Sequence, residues 1–190
     1  MNDQTPRNLG QGMLIGAWVL LLALLVMAFN RVLERRENPN PDPVGRSGPN
    51  GTVEVVLERN AQGHYVAGGS IDGYPVTFLV DTGATTVALS DKLAQRLGLE
   101  KRGGIFTGTA NGVAAGWQTR LAQVRIGPIV EKDVRAVILP DLKPWNQVLL
   151  GMSFLKRLEM VQRDGRLLLR QGRPSASSSS PPPRPSPENG

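Results

Sequence analysis

The sequence contains no cysteine and only one histidine, His64, among its 190 residues. Without cysteine, the chain has no disulfide framework, no thiol nucleophile and no cysteine-ligated metal. One histidine is too few for a histidine metal cluster, and it gives no support to a Ser-His triad within one chain. We therefore expect no metal and no cofactor, and we interpret His64 as an ordinary strand or turn residue.

Aromatic residues are also scarce, at 5% of the chain, although the net charge is +6. The charges of the central region are of both signs and are scattered, without a stripe of basic and aromatic residues. Binding of single strands combines a basic groove with aromatic stacking platforms. The composition therefore argues against a nucleic-acid partner.

One apolar run near the amino terminus is long enough to cross a bilayer. Met13 to Phe29 is uninterrupted, and 17 residues of helix at about 1.5 Å each reach about 25 Å, near the thickness of a bilayer core. A cleaved signal peptide is the alternative, but its apolar region is normally about 7–15 residues and ends at a small-x-small site. We predict a single-pass transmembrane anchor over residues 1–30. Because Arg31, Arg35 and Arg36 follow the run and only Arg7 precedes it, the positive-inside bias places the following domain in the cytoplasm.

Composition divides the remainder into three parts. Residues 31–51 are predicted to be a juxtamembrane segment and Pro-rich linker, and residues 172–190 a disordered Ser/Pro-rich tail. Residues 52–171 suit one domain. Many short strand signals, an Asn111-Gly112 hairpin turn and a short helix after Ser90 predict an all-β, closed or nearly closed barrel with one or two short helices.

The most informative stretch runs from Phe78 to Thr85, where apolar β-formers end in Asp81-Thr82-Gly83. A carboxylate at the end of a buried strand is held rigidly. The glycine allows a sharp turn and a close approach of a substrate or a second chain. Asp-x-Gly is also a common turn in which the carboxylate binds its own backbone. The apolar strand before the triplet and Ala84-Thr85 after it favour a catalytic loop.

Three features follow in a recognisable order: this loop, the hairpin Thr109-Ala110-Asn111-Gly112, and Leu149-Leu150-Gly151 before a short helix. From about Thr52 to Arg170 the chain resembles the retropepsin-like aspartic proteases of clan AA, in particular the bacterial membrane-anchored members. The resemblance implies a retropepsin-like acid protease barrel that functions as a homodimer. It also implies a bacterial inner-membrane protein with its catalytic domain in the periplasm, in conflict with the charge bias.

The resemblance assigns a role to each matching position. Asp81 would be the catalytic carboxylate, with Thr82 bonding across the dimer axis and Gly83 admitting the substrate backbone. The remaining residues fall into a substrate-binding set on the loop and flap (Ala84, Thr85, Ala110, Asn111, Gly112) and a supporting set beneath the loop (Leu149, Leu150, Gly151). Thr85 stands where viral relatives usually carry an Asp, so the grip on the substrate should differ.

The triplet occurs once, and this single copy determines the predicted assembly. Aspartic protease chemistry needs two carboxylates that share one proton. The pairs Asp72-Gly73 and Asp164-Gly165 lack the threonine and are interpreted as turns. The second carboxylate must therefore come from a second copy of the chain, related by a twofold axis.

The expected function is that of a membrane-tethered homodimeric aspartic endopeptidase, which hydrolyses peptide bonds of a polypeptide by an Asp-Asp dyad and activated water. One alternative is a catalytically silent module of the same fold that binds or scaffolds at the cell envelope. Another is a purely structural envelope protein. Cleavage of peptides distinguishes the first from the other two.

Overall fold

The strands of the domain follow a long amino-terminal helix. The computed structural model describes residues 5–47, 51–109, 112–140 and 142–172. The elements in these ranges, in chain order, are α1 (Thr5–Glu37), β1 (Gly45–Ser47), β2 (Val53–Glu58), β3 (Val66–Ile71), β4 (Tyr74–Val80), β5 (Val87–Ser90), α2 (Asp91–Arg96), β6 (Arg102–Thr109), β7 (Gly112–Ile126), β8 (Ile129–Leu139), β9 (Gln147–Leu150), α3 (Met152–Leu155), β10 (Glu159–Arg163) and β11 (Arg166–Gln171).

Six strands close into a barrel. Their order is β3-β4-β9-β5-β8-β7, and β3 pairs back onto β7 through Ser70↔Arg125 and Ile71↔Val124. β6 extends this sheet beyond β7, while β1, β2, β11 and β10 form a second sheet. The predicted all-β barrel with short helices is confirmed.

One cluster of buried apolar side chains joins the two sheets. Val55 and Leu57 of β2 belong to the same cluster as Phe78 of β4 and Leu169 of β11. Val55 and Leu57 are buried while the residues after each are exposed, which is the two-residue period of a half-buried strand. The second sheet therefore packs against the barrel through one face only.

The Asp-Gly pairs form tight turns. Asp72-Gly73 joins β3 to β4 with φ angles of 50° and 84°, and Asp164-Gly165 joins β10 to β11 with 49° and 75°. Positive φ at both central residues is the geometry of a type I′ turn, which matches the twist of paired strands.

β6 and β7 form a long antiparallel hairpin. Thr109 pairs with Gly112, and the pairing continues past a bulge to Arg102. The start of β6 is difficult to recognise as a strand from the sequence, because Gly103 and Gly104 have low strand propensity. Ala110 and Asn111, at the predicted tip, lie outside the described residues.

The helices that flank the barrel begin where the sequence indicates. Ser90 caps α2, because its Oγ accepts a hydrogen bond from the Leu93 amide at 3.1 Å. The same hydroxyl donates to the carbonyl of Trp145 at 2.6 Å. The cap therefore also ties α2 to the segment that precedes β9.

The segment between α1 and β2 differs from the extended linker that its prolines predict. Asn40 is buried, and its Nδ2 donates to the carbonyls of Glu58 (2.9 Å) and Val66 (2.7 Å) while its Oδ1 accepts from the Glu58 amide (2.8 Å). Beyond it, β1 pairs with β2. One amide thus satisfies three backbone groups of β2 and β3, and leaving such groups unpaired costs about 1–3 kcal/mol each.

The last turn of α1 is also attached to the barrel. The carbonyl of Arg36 accepts a hydrogen bond from the Ala61 amide at 3.2 Å, and the carbonyl of Glu37 accepts one from Asn60 Nδ2 at 3.1 Å. Carbonyl groups at a helix end lack partners within the helix. The connection between β2 and β3 supplies these partners, so the helix end and the barrel are joined by hydrogen bonds.

Most of α1 is apolar on every side. Within the described residues, one stretch, Gly12–Glu37, is long and apolar enough to cross a membrane by length and composition, and none of it is buried by the rest of the chain. Trp18 and Phe29, for example, are 64% exposed. A signal sequence would satisfy the same criteria.

Candidate active site

Asp81 lies directly after β4, beside the end of β9. The two strands are parallel, with Val80 opposite Leu150. The Asp81 amide donates to the Leu150 carbonyl at 3.2 Å, which continues the pairing by one residue. The backbone of Asp81 is therefore fixed by the barrel, and its side chain is half-buried at the barrel's edge.

The loop turns immediately after this residue. The Gly83 amide donates to Asp81 Oδ1 at 2.9 Å, and the Ala84 amide donates to the Asp81 carbonyl at 3.3 Å. The first bond is that of an Asx turn and the second is that of a β-turn, and both are ordinary features of loops. A Cβ atom on Gly83 would lie 3.2 Å from Asp81 Oδ1. The loop therefore holds the carboxylate closely, and Thr82 and Gly83 remain exposed beside it.

Leu149, Leu150 and Gly151, the residues of the predicted supporting set, lie at the end of β9 and at the turn into α3, beside the Asp81 loop. Leu150 is fully buried and Leu149 packs on a second apolar cluster with Ala88 and Val137. A Cβ atom on Gly151 would be 2.3 Å from the Thr86 carbonyl and 2.7 Å from the Ala84 carbonyl. Only glycine allows this approach, because real Cβ atoms do not come so close to backbone oxygen.

Ser153 is a supporting residue to which sequence reasoning assigned no role. Its hydroxyl accepts from the Val87 amide at 2.9 Å and donates to the Arg135 carbonyl at 2.7 Å. Just before it, the Met152 amide donates to the Ala84 carbonyl at 2.8 Å. The start of α3 thus binds the loop and the first residue of β5. The available signal was a serine two residues after Gly151.

The predicted loop and the predicted hairpin share one cleft. Thr85 and Thr86 of the loop line it together with Ile105 and Phe106 of β6, and its volume is about 400 Å³. Phe106 is 82% exposed and Val113, near the start of β7, is 77% exposed. Gly112 pairs with Thr109, whereas Ala110 and Asn111 lie outside the described residues, so the structure does not place the predicted flap tip relative to Asp81.

The region that contains this site matches a family model, a solved structure and a curated relative. The family model for gag-polyprotein aspartyl proteases matches residues 67–157. A crystal structure of a retropepsin-like aspartic protease from Rickettsia conorii superposes with a TM-score of 0.52 and 28% identity, over 63% of this chain and 92% of that chain. An uncharacterized protein from the cobV 5′ region of a Sinorhizobium species is 33% identical over 171 residues, which are 84% of this chain and 73% of the relative.

The chain belongs to the retropepsin-like aspartic protease family. A second relative, an uncharacterized protein of Rickettsia prowazekii (strain Madrid E), is 32% identical over 119 residues, which are 61% of this chain and half of that relative.

The range matched by the family model contains the elements that surround Asp81 in this retropepsin-like protein. Residues 67–157 begin in β3 and end just after α3. They therefore include the Asp81 loop, the β6–β7 hairpin and the β9–α3 support, while α1, β1, β2, β10 and β11 lie outside. The part of the barrel that positions Asp81 is the part that the family shares.

Proposed function

We propose that this protein is a membrane-tethered, homodimeric aspartic endopeptidase. One observation carries the proposal: Asp81-Thr82-Gly83 ends a barrel strand and is held by β9 and α3, within the range matched by the aspartyl protease family model. Nothing in barrel packing requires a half-exposed carboxylate at that position, since its side chain binds only the Gly83 amide within the described residues.

Two copies of the chain form the active enzyme in this proposal. Each chain supplies one Asp-Thr-Gly triplet, and two carboxylates that share a proton are needed. Thr82 and Gly83 are exposed, so the loop is open to a second copy. A twofold axis beside Asp81 brings the two carboxylates together and lets Thr82 bond across the axis.

The chemistry is general acid–base catalysis. One Asp81 carboxylate removes a proton from a water molecule, while the protonated carboxyl of the partner subunit's Asp81 donates a hydrogen bond to the scissile carbonyl. The water oxygen attacks the carbonyl carbon as the partner's Asp81 transfers its proton to the carbonyl oxygen, which gives a tetrahedral diol. The Asp81 that took the water's proton passes it to the departing amine as the C–N bond breaks, and a diol hydroxyl returns its proton to the dyad as the new carboxylic acid forms. Thr85 and the β6–β7 hairpin line the adjoining cleft, where an extended polypeptide can lie.

Subunit mixing tests the shared dyad. Wild-type and Asp81→Asn proteins, mixed in equal amounts in detergent micelles and allowed to exchange, should retain about one quarter of the activity of an all-wild-type sample of the same total concentration, because only wild-type pairs are complete. Mixing with Asp164→Asn, altered at the exposed β10–β11 turn, should leave activity unchanged. Retention of about one half with Asp81→Asn would mean that each chain acts alone.

The anchor and domain limits are part of the same proposal. We propose that α1 holds the chain in the bacterial inner membrane through residues 1–30, that residues 31–51 connect it to a protease domain at 52–171, and that residues 172–190 form a tail. The domain faces the periplasm, as in the membrane-anchored relatives that the sequence resembles, although Arg31, Arg35 and Arg36 follow the span.

The absence of native cysteine makes the orientation measurable. In Gly172→Cys protein, the single thiol at the exposed end of β11 should react with a membrane-impermeant maleimide in intact spheroplasts as completely as after lysis. The unaltered protein, which has no thiol, is the control. Labelling that requires lysis would place the domain in the cytoplasm, as the positive-inside bias predicts.

A further inference from the structure

Three arginines line the cleft beside the Asp81 loop. They are Arg102 on β6, Arg120 on β7 and Arg135 on β8, and their side chains reach the same space as Thr85. Asp81 itself does not line this cleft. The cleft therefore adjoins the proposed catalytic loop without containing the reacting group, which is the relation expected of a pocket for a substrate side chain.

Two of these arginines form an unfavourable pair for the sheet. Arg120 and Arg135 are direct partners across β7 and β8, so both side chains stand on the same face. Like charges directly opposite each other destabilise a sheet. The stability of the barrel therefore does not account for the pair, whereas an anionic ligand between or beside the two groups would relieve it.

Only part of this positive charge is compensated within the chain. Arg102 contacts Glu100 at 3.3 Å, and Arg120 is paired with Asp133. Arg135 has no carboxylate partner among the residues that the structure describes, and its side chain is exposed to the cleft. One guanidinium group is thus available, and its planar set of donors matches a carboxylate.

The lowered pKa of Asp133 indicates a positive electrostatic potential at this edge of the sheet. Its pKa is held below the usual value, first by the hydrogen bond from Arg120, and further by the charges of Arg120, Arg157 and Arg102. A carboxylate at this edge is consequently stabilised in its charged form. The walls of the cleft add apolar contacts from Ile105, Phe106 and Val137, suited to the methylene groups of a side chain.

We propose that this cleft binds an acidic side chain, Asp or Glu, of the polypeptide substrate and that Arg135 determines this specificity. The proposal rests on the protease function and adds the substrate class to it. The acidic residue lies on one side of the scissile bond at a fixed position, because the cleft begins at Thr85 in the same loop as Asp81.

Peptide profiling tests the preference with the full-length protein in detergent micelles. A proteome-derived peptide library, analysed by mass spectrometry, should show enrichment of Asp and Glu at one fixed position relative to the cleaved bond. For peptides that differ only by Glu or Gln there, kcat/KM should favour Glu by about tenfold to a hundredfold, the worth of a hydrogen-bonded ion pair.

Variants at Arg135 separate a specific contact from a general charge effect. Arg135→Gln should remove most of the difference in kcat/KM between the Glu and Gln peptides, and Arg135→Glu should favour a Lys peptide. The matched control is Arg125→Gln, an exposed arginine of β7 that does not line the cleft. Equal cleavage of the Glu and Gln peptides by wild-type protein, or a preference that survives Arg135→Gln, would overturn the proposal.

A binding measurement keeps this inference separate from the protease assignment. Fluorescence polarisation of labelled Glu and Gln peptides on Asp81→Asn protein reads the cleft without turnover. Tighter binding of the Glu peptide that depends on Arg135, with no cleavage by wild-type protein, would support the cleft and count against the protease. Cleavage that depends on Asp81, with no preference for the Glu peptide in either assay, would support the protease assignment and count against the acidic specificity of the cleft.

Discussion

Substitution of Asp81 by Asn should abolish peptide hydrolysis and leave the fold unchanged. The amide has nearly the same shape as the carboxylate, and its oxygen can still accept the hydrogen bond that the Gly83 amide donates at 2.9 Å. It cannot take a proton from water or share one with a second carboxyl group. Because general acid–base groups contribute about two to four orders of magnitude to a rate, we expect a loss of that size.

The measurement is the rate at which full-length protein cleaves a peptide library over acid to neutral pH, with circular dichroism as the check on folding. Asp72→Asn is the matched control, since it makes the same change at the Asp72-Gly73 turn, where Asn tolerates positive φ. Undiminished cleavage by the Asp81 variant would refute the dyad. A folded wild-type protein that cleaves nothing would support the silent binding module instead.

The second large effect is expected at Gly151, from a single added methyl group. In Gly151→Ala the new Cβ would meet the Thr86 carbonyl at 2.3 Å and the Ala84 carbonyl at 2.7 Å, so either β9 or the Asp81 loop must move. Overpacking of this kind costs about 1–3 kcal/mol and sometimes more. Because these carbonyls belong to the Asp81 loop, we expect most of the activity to be lost as well.

Denaturant unfolding and peptide cleavage should be measured together on this variant. The control is Gly172→Ala, where no atom lies within 4 Å of the new Cβ. Loss of activity that exceeds the loss of stability would show that the loop geometry has changed. Wild-type stability and activity in Gly151→Ala would contradict the close packing between β9 and the loop.

The parts of the site that local signals encode could be predicted from the sequence. β4 has an unbroken run of β-formers from Val76 to Val80, and Asp-Gly pairs mark the β3–β4 and β10–β11 turns. Leu149-Leu150-Gly151 was predicted to lie beneath the loop on the strength of the family resemblance. These elements are recognisable because each depends mainly on neighbouring residues.

Other features depend on contacts between distant residues, and composition gives no sign of them. Asn40 lies among prolines that favour an extended linker, yet it is buried because backbone groups of Glu58 and Val66 lie within its reach. The pairing of Arg120 with Arg135 follows from the β7–β8 register. β8 begins at Ile129, and its solvent-facing Lys132 and Asp133 mask the strand pattern in the sequence.

The attachment of the barrel to the end of α1 has a geometric consequence for an anchored chain. Only Asn38 and Pro39 separate Glu37 from the buried Asn40, and Asn60 and Ala61 bind the last carbonyls of the helix. In the proposed membrane-anchored enzyme, these hydrogen bonds would hold the Asp81 loop at a fixed distance from the bilayer. Peptide bonds of a substrate at that distance from the bilayer would be cleaved, and more distant peptide bonds would not. Two parallel anchors would orient the pair's symmetry axis along the bilayer normal.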